Sequence, residues 1–157
     1  MSNIIPSLWF DTQAEEAAKF YVSVFKDSRI LNIAYYNDAG PRPAGMVLTV
    51  EFEVNGQRFV AINGGPEFTF SEAVSFQIEC ADQAEIDYYW EHLTAGGEEG
   101  PCGWLKDRYG LSWQVVPQGM AEIFGDPDRT RASRAMKAMF GMRKIDAAEL
   151  VRAANDG

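Results

Sequence analysis

The sequence predicts an α+β fold in which a unit of strand, helix and further strands occurs twice before a run of C-terminal helices. Three observations carry that prediction. Apolar residues alternate with period two over Met46 to Val54 and again over Val74 to Cys80, as they do in half-buried strands. Apolar stripes of helical period twice follow a capping pair, Thr12 with Glu15 and Asp82 with Glu85. The tripeptide Gln13-Ala-Glu15 recurs as Gln83-Ala-Glu85, at a spacing of about 70 residues, the mark of an internal duplication. The 157 residues suit one domain over 1–157, or two small repeated halves sharing a core, with modules over about 1–64 and 74–117 and a helical extension over about 119–157.

Residues 4 to 10, Ile-Ile-Pro-Ser-Leu-Trp-Phe, read as the first strand, with Pro6 tolerated near its start or at an edge. The helix after it carries Ala14, Ala17, Phe20, Tyr21, Val24 and Phe25 on one stripe and ends near Lys26. Residues 30 to 37 form a strand, and Asp38 to Pro43 a loop, because Pro and Gly cluster there without periodicity. In the third strand Met46, Leu48, Val50, Phe52 and Val54 alternate with Val47, Thr49, Glu51 and Glu53, and Asn55-Gly56 turns the chain into a fourth, Gln57 to Asn63. Gly64 to Ala73 is a linker pinned by Phe68 and Phe70.

The pattern then restarts. Val74, Phe76, Ile78 and Cys80 alternate with Ser75, Gln77 and Glu79, and Ile86, Tyr89, Trp90 and Leu93 make a helical stripe that Gly96-Gly97 stops. Cys102 to Pro117 is two short strands joined by a tight turn, Asp107 to Gly110, in which Gly110 supplies a positive φ. In its second arm Leu111, Trp113 and Val115 form an apolar back, while Ser112 and Gln114 put polar groups on the front, a pattern that suits the wall of a pocket and equally an ordinary half-buried strand with Gln114 facing water. Asp126-Pro127 caps a helix whose apolar side is Ala132, Met136, Met139 and Phe140, and Asp146 with Glu149 opens a last one through Leu150 and Val151. Six of the 14 basic residues fall between Arg129 and Lys144, read as a solvated face that complements an acidic body, with contact to a membrane or a partner as the alternative.

Composition narrows the partners. Hydrophobic residues make up 46% of the chain, with Phe 10, Tyr 6 and Trp 4, so aromatic side chains supply much of the buried area. Fourteen Lys and Arg against 23 Asp and Glu give a formal charge of −9, which opposes binding to a phosphate backbone. The N-terminus has no basic region followed by an apolar run, and no stretch of about 18 apolar residues occurs, so neither nucleic acid nor membrane is an expected partner and a cytoplasmic location is. In that compartment Cys80 and Cys102 are expected as free thiols.

The chemistry-bearing residues exclude more than they assign. Metal catalysis needs clustered His, Cys or carboxylate ligands, and the chain has one histidine, His92, on the second helix. A Ser-His-Asp or Cys-His centre would have to use that residue, and no Gly-x-Ser-x-Gly elbow accompanies it. A doubly wound methyl-donor site needs a Gly-rich turn running from a strand into a helix, whereas Asn63-Gly-Gly-Pro66 is followed by two Phe and another strand.

The segments Leu8 to Tyr21, Asn63-Gly-Gly-Pro66, Asp87-Tyr-Tyr-Trp90, Gly103 to Asp107 and Gly110-Leu-Ser-Trp-Gln-Val-Val-Pro117 resemble the PhnB-like, 3-demethylubiquinone 3-methyltransferase-like branch of the glyoxalase/bleomycin-resistance (vicinal oxygen chelate) superfamily, over Ile4 to Pro117. The resemblance implies two tandem βαβββ modules forming a curved mixed sheet around a pocket, within a homodimer. It places the superfamily's four metal ligands at Pro6, Asn63 (or Ile62), Ser75 and Gln114, a set poor in donors, so no metal and no cofactor are expected. Ligand-binding positions are expected at Leu8, Phe10, Asn63, Ser75, Gln77, Glu79, Trp104, Ser112 and Gln114. The leading expectation is therefore a metal-free small-molecule binding protein. Its alternatives are a metal-independent enzyme, with Glu79 as general base or Cys102 as nucleophile, and a structural or regulatory dimer whose pocket is filled by its own side chains.

Overall fold

The structure, a computed structural model, describes residues 2–156. They form two compact units that divide between Phe70 and Ser71.

The first unit runs β1 (Ser7–Phe10), α1 (Ala14–Val24), β2 (Arg29–Tyr35), β3 (Val47–Val54) and β4 (Gln57–Asn63). Its sheet has the order β1-β4-β3-β2, with β1 parallel to β4 and the other pairs antiparallel. The alternation seen in sequence buries one face of that sheet. Leu8, Phe10, Val50, Phe52, Val54, Phe59 and Ala61 all lie on it, and α1 covers it with Ala14, Ala17, Ala18, Tyr21 and Val24. The Tyr21 ring stacks on Phe52 at 6.1 Å, and Phe52 stacks on Phe59 at 5.4 Å. Asn55 and Gly56 both have positive φ, 48° and 84°, as a two-residue hairpin turn demands. After β4 the chain is pinned as expected, with Phe68 edge-on to Trp9 at 5.0 Å and Phe70 edge-on to Phe10 at 5.4 Å.

One local expectation fails in this unit. Thr12 does not cap α1; the N-cap is Gln13, with no side-chain bond of its own, and the Ala14 N–H instead donates to Asn63 Oδ1 at 2.8 Å, 49 residues away. The cap has been moved from the local sequence to the neighbouring strand.

The second unit repeats the plan with β5 (Ser75–Cys80), α2 (Gln83–Thr94), β6 (Glu98–Glu99), β7 (Trp104–Lys106) and β8 (Ser112–Pro117). Its order, β5-β8-β7-β6, and its parallel first and last strands match the first unit position for position, so the duplication read from Gln13-Ala-Glu15 and Gln83-Ala-Glu85 is one of topology as well. Here the capping box forms as expected: Asp82 accepts from the Glu85 N–H at 2.9 Å, and Glu85 accepts from the Ala81 N–H at 3.1 Å. Ile86, Tyr89, Trp90 and Leu93 of α2 cover Cys80, Leu105, Trp113 and Val115. The β7–β8 turn is tied by buried Asp107, whose Oδ1 accepts from the N–H groups of Tyr109 and Leu111 and whose Oδ2 accepts from Trp113 Nε1 at 2.9 Å. Gly110 has a φ of 84°.

Three further helices belong to this unit: α3 (Met120–Phe124), α4 (Arg129–Phe140) and α5 (Ala147–Asn155). Asp128, rather than the Asp126-Pro127 pair, caps α4 by accepting from the Thr130 and Arg131 N–H groups, and Asp146 caps α5 through the Glu149 N–H. The buried side of α4 is Ala132 and Ala135, which lets α5 approach with Leu150 and Ala154. Met136 and Phe140, expected on that side, are exposed, because α4 meets α5 through its small residues and turns the larger ones outward. Among the described residues no helix is long and apolar enough to cross a membrane.

Candidate functional site

The open face of the second sheet is built in two rows by strand register. Ser75 pairs with Ser112, Ser112 with Lys106, and Lys106 with Glu98; beside that row, Gln77 pairs with Gln114 and Gln114 with Trp104. Period-two alternation sends all of these side chains away from α2. The Gln114 amide donates to Ser75 Oγ at 2.9 Å, which ties the two rows together. Over this face lies a cavity of about 400 Å³, lined by residues that include Glu72, Glu98, Glu99, Pro101, Trp104 and Ser112.

Two features of the cavity bear on chemistry. Ser112 has 0% exposure, and its Oγ makes no hydrogen bond among the described residues, so a hydroxyl in the cavity wall is left unpaired. Such a group costs about 1–3 kcal/mol when buried without a partner. The second feature is an ion pair: Lys106 Nζ contacts Glu72 Oε1, and the hydrogen bond between them holds the Glu72 carboxyl below its usual range and pushes the Lys106 ammonium up. Glu99 accepts from Trp90 Nε1 at 2.7 Å and lies 3.8 Å from Arg143.

The residues expected to bind ligand separate into three groups. Trp104 and Ser112 line the cavity, and Ser75, Gln77, Glu79 and Gln114 share its sheet face. Leu8 and Phe10 do not share the open face of their own sheet. They are 5% and 4% exposed on the side that packs against α1, and the outward residues of β1 are Ser7 and Trp9. The strand is in the other phase because Pro6 precedes it and pairing begins at Ser7 with Val60. Asn63 is likewise turned inward at 2% exposure, its amide spent on Ala14 and, at 3.0 Å, on the Val47 carbonyl; the open face at that point carries Ile62.

A catalytic divalent metal does not fit these residues. Pro6 has no side-chain donor, Asn63 faces the core, Ile62 is a hydrocarbon, and Ser75 and Gln114 are bonded to each other. Among the described residues no three His, Cys, Asp or Glu side chains gather as a metal site requires. His92 is exposed, with Nδ1 2.8 Å from the Tyr88 carbonyl and its ring stacked on Tyr88.

The proposed nucleophile and base stand apart from such chemistry. The Cys102 thiol is half-buried on a residue with φ 59°, Glu79 is exposed on β5, and neither side chain has a hydrogen-bond partner among the described residues. A Cys nucleophile needs a base within reach. Cys80 is fully buried, and that burial pushes its thiol up to about 12. Gly64 and Gly65, which follow the fourth strand, serve packing. A Cβ on Gly64 would sit 2.3 Å from the Trp9 ring, whose Nε1 donates to the Gly65 carbonyl at 2.9 Å, and no helix opens behind them.

A second hollow, of about 530 Å³, lies among Arg134, Lys137, Glu149, Arg152 and Asp156 on the C-terminal helices. Its Arg152 is held by Glu149 and Asp156, and its Arg134 donates to the Ala154 carbonyl, so its arginines are already engaged. Sequence reading named Trp104 and Ser112 but missed Glu72, Glu98 and Glu99. Two of those carboxylates sit on a strand of two residues, too short to show a period.

Comparison with known proteins supports the architecture. The family described as 3-demethylubiquinone-9 3-methyltransferase matches residues 2–116. A Bacillus cereus structure described as a putative 3-demethylubiquinone-9 3-methyltransferase, PhnB protein, is 35% identical, with a TM-score of 0.66 over 74% of this chain and 99% of that one. At the level of fold alone, a Pseudomonas aeruginosa protein is similar at 20% identity and TM-score 0.62, covering 74% of this chain and 98% of its own. The Listeria monocytogenes fosfomycin resistance protein FosX, solved with Mn(II) and sulfate, is similar at 14% identity and TM-score 0.54, covering 79% and 95%. No curated protein matches the chain. The duplicated βαβββ topology and the match over residues 2–116 together place this chain in the 3-demethylubiquinone-9 3-methyltransferase-like, PhnB-type family of the glyoxalase fold.

Proposed function

We propose that this protein binds a small organic molecule in the cavity on the open face of the second sheet, without a catalytic metal or cofactor. The observation that carries this reading is the cavity of about 400 Å³ itself, walled by Trp104 and Pro101 and backed by the enclosed, unpaired Ser112 hydroxyl. A cavity of that size is within the range of small-molecule sites, and its mostly apolar wall with a few convergent polar groups is their usual composition. A pocket closed by its own side chains would leave no such volume. The metal-free part of the reading rests on the donor set, in which a proline, a core-facing amide and a bonded Ser–Gln pair replace ligands. A homodimer belongs to the same reading and is supported by β2, an edge strand that exposes Leu31 and Tyr35. Cytoplasmic residence is supported by two free cysteines.

Two-dimensional amide NMR against a library of small aromatic and aliphatic fragments tests the binding site. Shifts centred on Pro101's neighbours, Trp104 and Ser112, lost in Ser112→Phe, are expected. Fragment hits that map elsewhere, with none at these residues, would overturn it.

A further inference from the structure

The cavity's charges are unequal. Two carboxylates, Glu72 and Glu98, share the open face with one ammonium, Lys106. Lys106 is already paired with Glu72 and has Glu98 as its cross-strand neighbour, so its charge is spent within the protein. Glu99, one residue along β6, is in the opposite phase: it pairs with Leu105, and its carboxylate is held by Trp90 of α2 and lies 3.8 Å from Arg143. An anion entering here would have to break the Lys106–Glu72 pair and then sit beside Glu98. A cation beside Glu98 breaks no ion pair, and the Lys106 ammonium that it approaches is already offset by Glu72. Trp104, between the acidic edge and Gln114, offers an indole face, which attracts cations as well as apolar rings. Ser112 Oγ is unpaired but fully enclosed, so it accepts a ligand N–H only where the wall in front of it shifts.

We infer that the cavity takes a cationic amphiphile, an organic ammonium group carried on a compact aromatic or branched apolar body. The inference rests on the cavity being the binding site, and it adds the ligand's charge and shape. The ammonium lies toward Glu98 and Ser112, and the apolar body lies on Trp104 and Pro101.

Three probes of one shape and different charge decide the matter: phenethylammonium, 2-phenylethanol and 3-phenylpropanoate, titrated by calorimetry and NMR at low salt. Phenethylammonium is expected to bind at least tenfold more tightly than the alcohol, with the carboxylate weakest, and added salt should narrow the difference. Glu98→Gln and Trp104→Leu should each weaken the ammonium by about threefold to tenfold while leaving the alcohol's affinity less changed in Glu98→Gln. Ser112→Ala should weaken it too, and its melting temperature should not fall, since the hydroxyl has no partner to lose. Tighter binding of the alcohol or carboxylate, with dependence on Ser112 and Trp104, would overturn the cationic class and leave the site standing. Ammonium binding indifferent to all three substitutions would be general attraction to an acidic protein and would overturn the inference. Failure of every probe at millimolar concentration would remove both the inference and the site.

Discussion

Trp113 and Gln114 are neighbours in sequence with opposite duties. Trp113 is 4% exposed, lies 5.7 Å from Phe76 and donates to buried Asp107, so Trp113→Ala removes a core ring and one of the donors to that carboxylate. A loss of about 3–5 kcal/mol is expected from thermal or urea melts. Gln114→Ala removes one half-buried hydrogen bond to Ser75 and should cost about 1 kcal/mol or less. Equal losses would show that the strand's faces are misassigned. The two cysteines should separate as clearly. Cys80 is raised above the ordinary thiol value of 9.0 to about 12 by burial, then by Glu85 and Asp82. Because the unfolded thiol ionises first, stability is complete below pH 9 and declines as pH rises from there toward 12, by at most about 1.4 kcal/mol per pH unit. Native protein should therefore yield one thiol, Cys102, to a disulfide reagent at pH 8, and denatured protein two. Denaturant melts from pH 8 to 10.5 should slope downward in wild type and less so in Cys80→Ala.

At the scale of elements, long-range side-chain clips set what local capping rules could not. Asn63 on β4 caps α1, and Asn63→Ala should cost about 2 kcal/mol by leaving the Ala14 N–H and the Val47 carbonyl without their partner. Gln83 does comparable work in the second unit. Its amide donates to the Ile145 carbonyl at 2.9 Å and accepts from the Ala147 N–H at 2.9 Å, holding the entry to α5 against α2. The segment before α5 also accepts from the N–H groups of Cys102 and Gly103, each at 2.8 Å, directly ahead of β7 and its Trp104. Gly103 has a φ of 84° and a Cβ there would lie 2.7 Å from the Val115 carbonyl and 3.0 Å from Ile145, so only glycine fits. The C-terminal helices thus brace one wall of the cavity. Gln83→Ala should lower stability by about 1–2 kcal/mol and raise hydrogen exchange over residues 142–155, with a smaller rise at Trp104. Unchanged exchange at 142–155 would contradict the clip.

For the whole molecule, the donor set and the edge of β2 give two expectations. Elemental analysis of protein purified without chelator should find far less than one equivalent of zinc, manganese, nickel or iron, and about one equivalent would overturn the metal-free reading. Sedimentation at micromolar concentration should return twice the chain mass of 17.5 kDa, and Tyr35→Lys on β2 should shift the equilibrium toward monomer if that edge is the interface. A monomeric wild type would set the homodimer aside.

The sequence by itself determined the third strand, the Asn55-Gly56 turn and the Asp82 cap, because each depends on residues within one turn or one alternation of each other, and it showed the duplication because a repeated motif is visible at any spacing. The open face of the second sheet was legible for the same reason: Ser112 and Gln114 stand two apart on one strand. Tertiary structure alone decided the rest. The phase of β1, which turns Leu8 and Phe10 inward, depends on where pairing with β4 starts. The diversion of Asn63 into a cap, the alanine side chosen by α4, and the acidic rim of the cavity each depend on which distant element arrives alongside. Local pattern specifies that a face exists; only packing specifies what it faces.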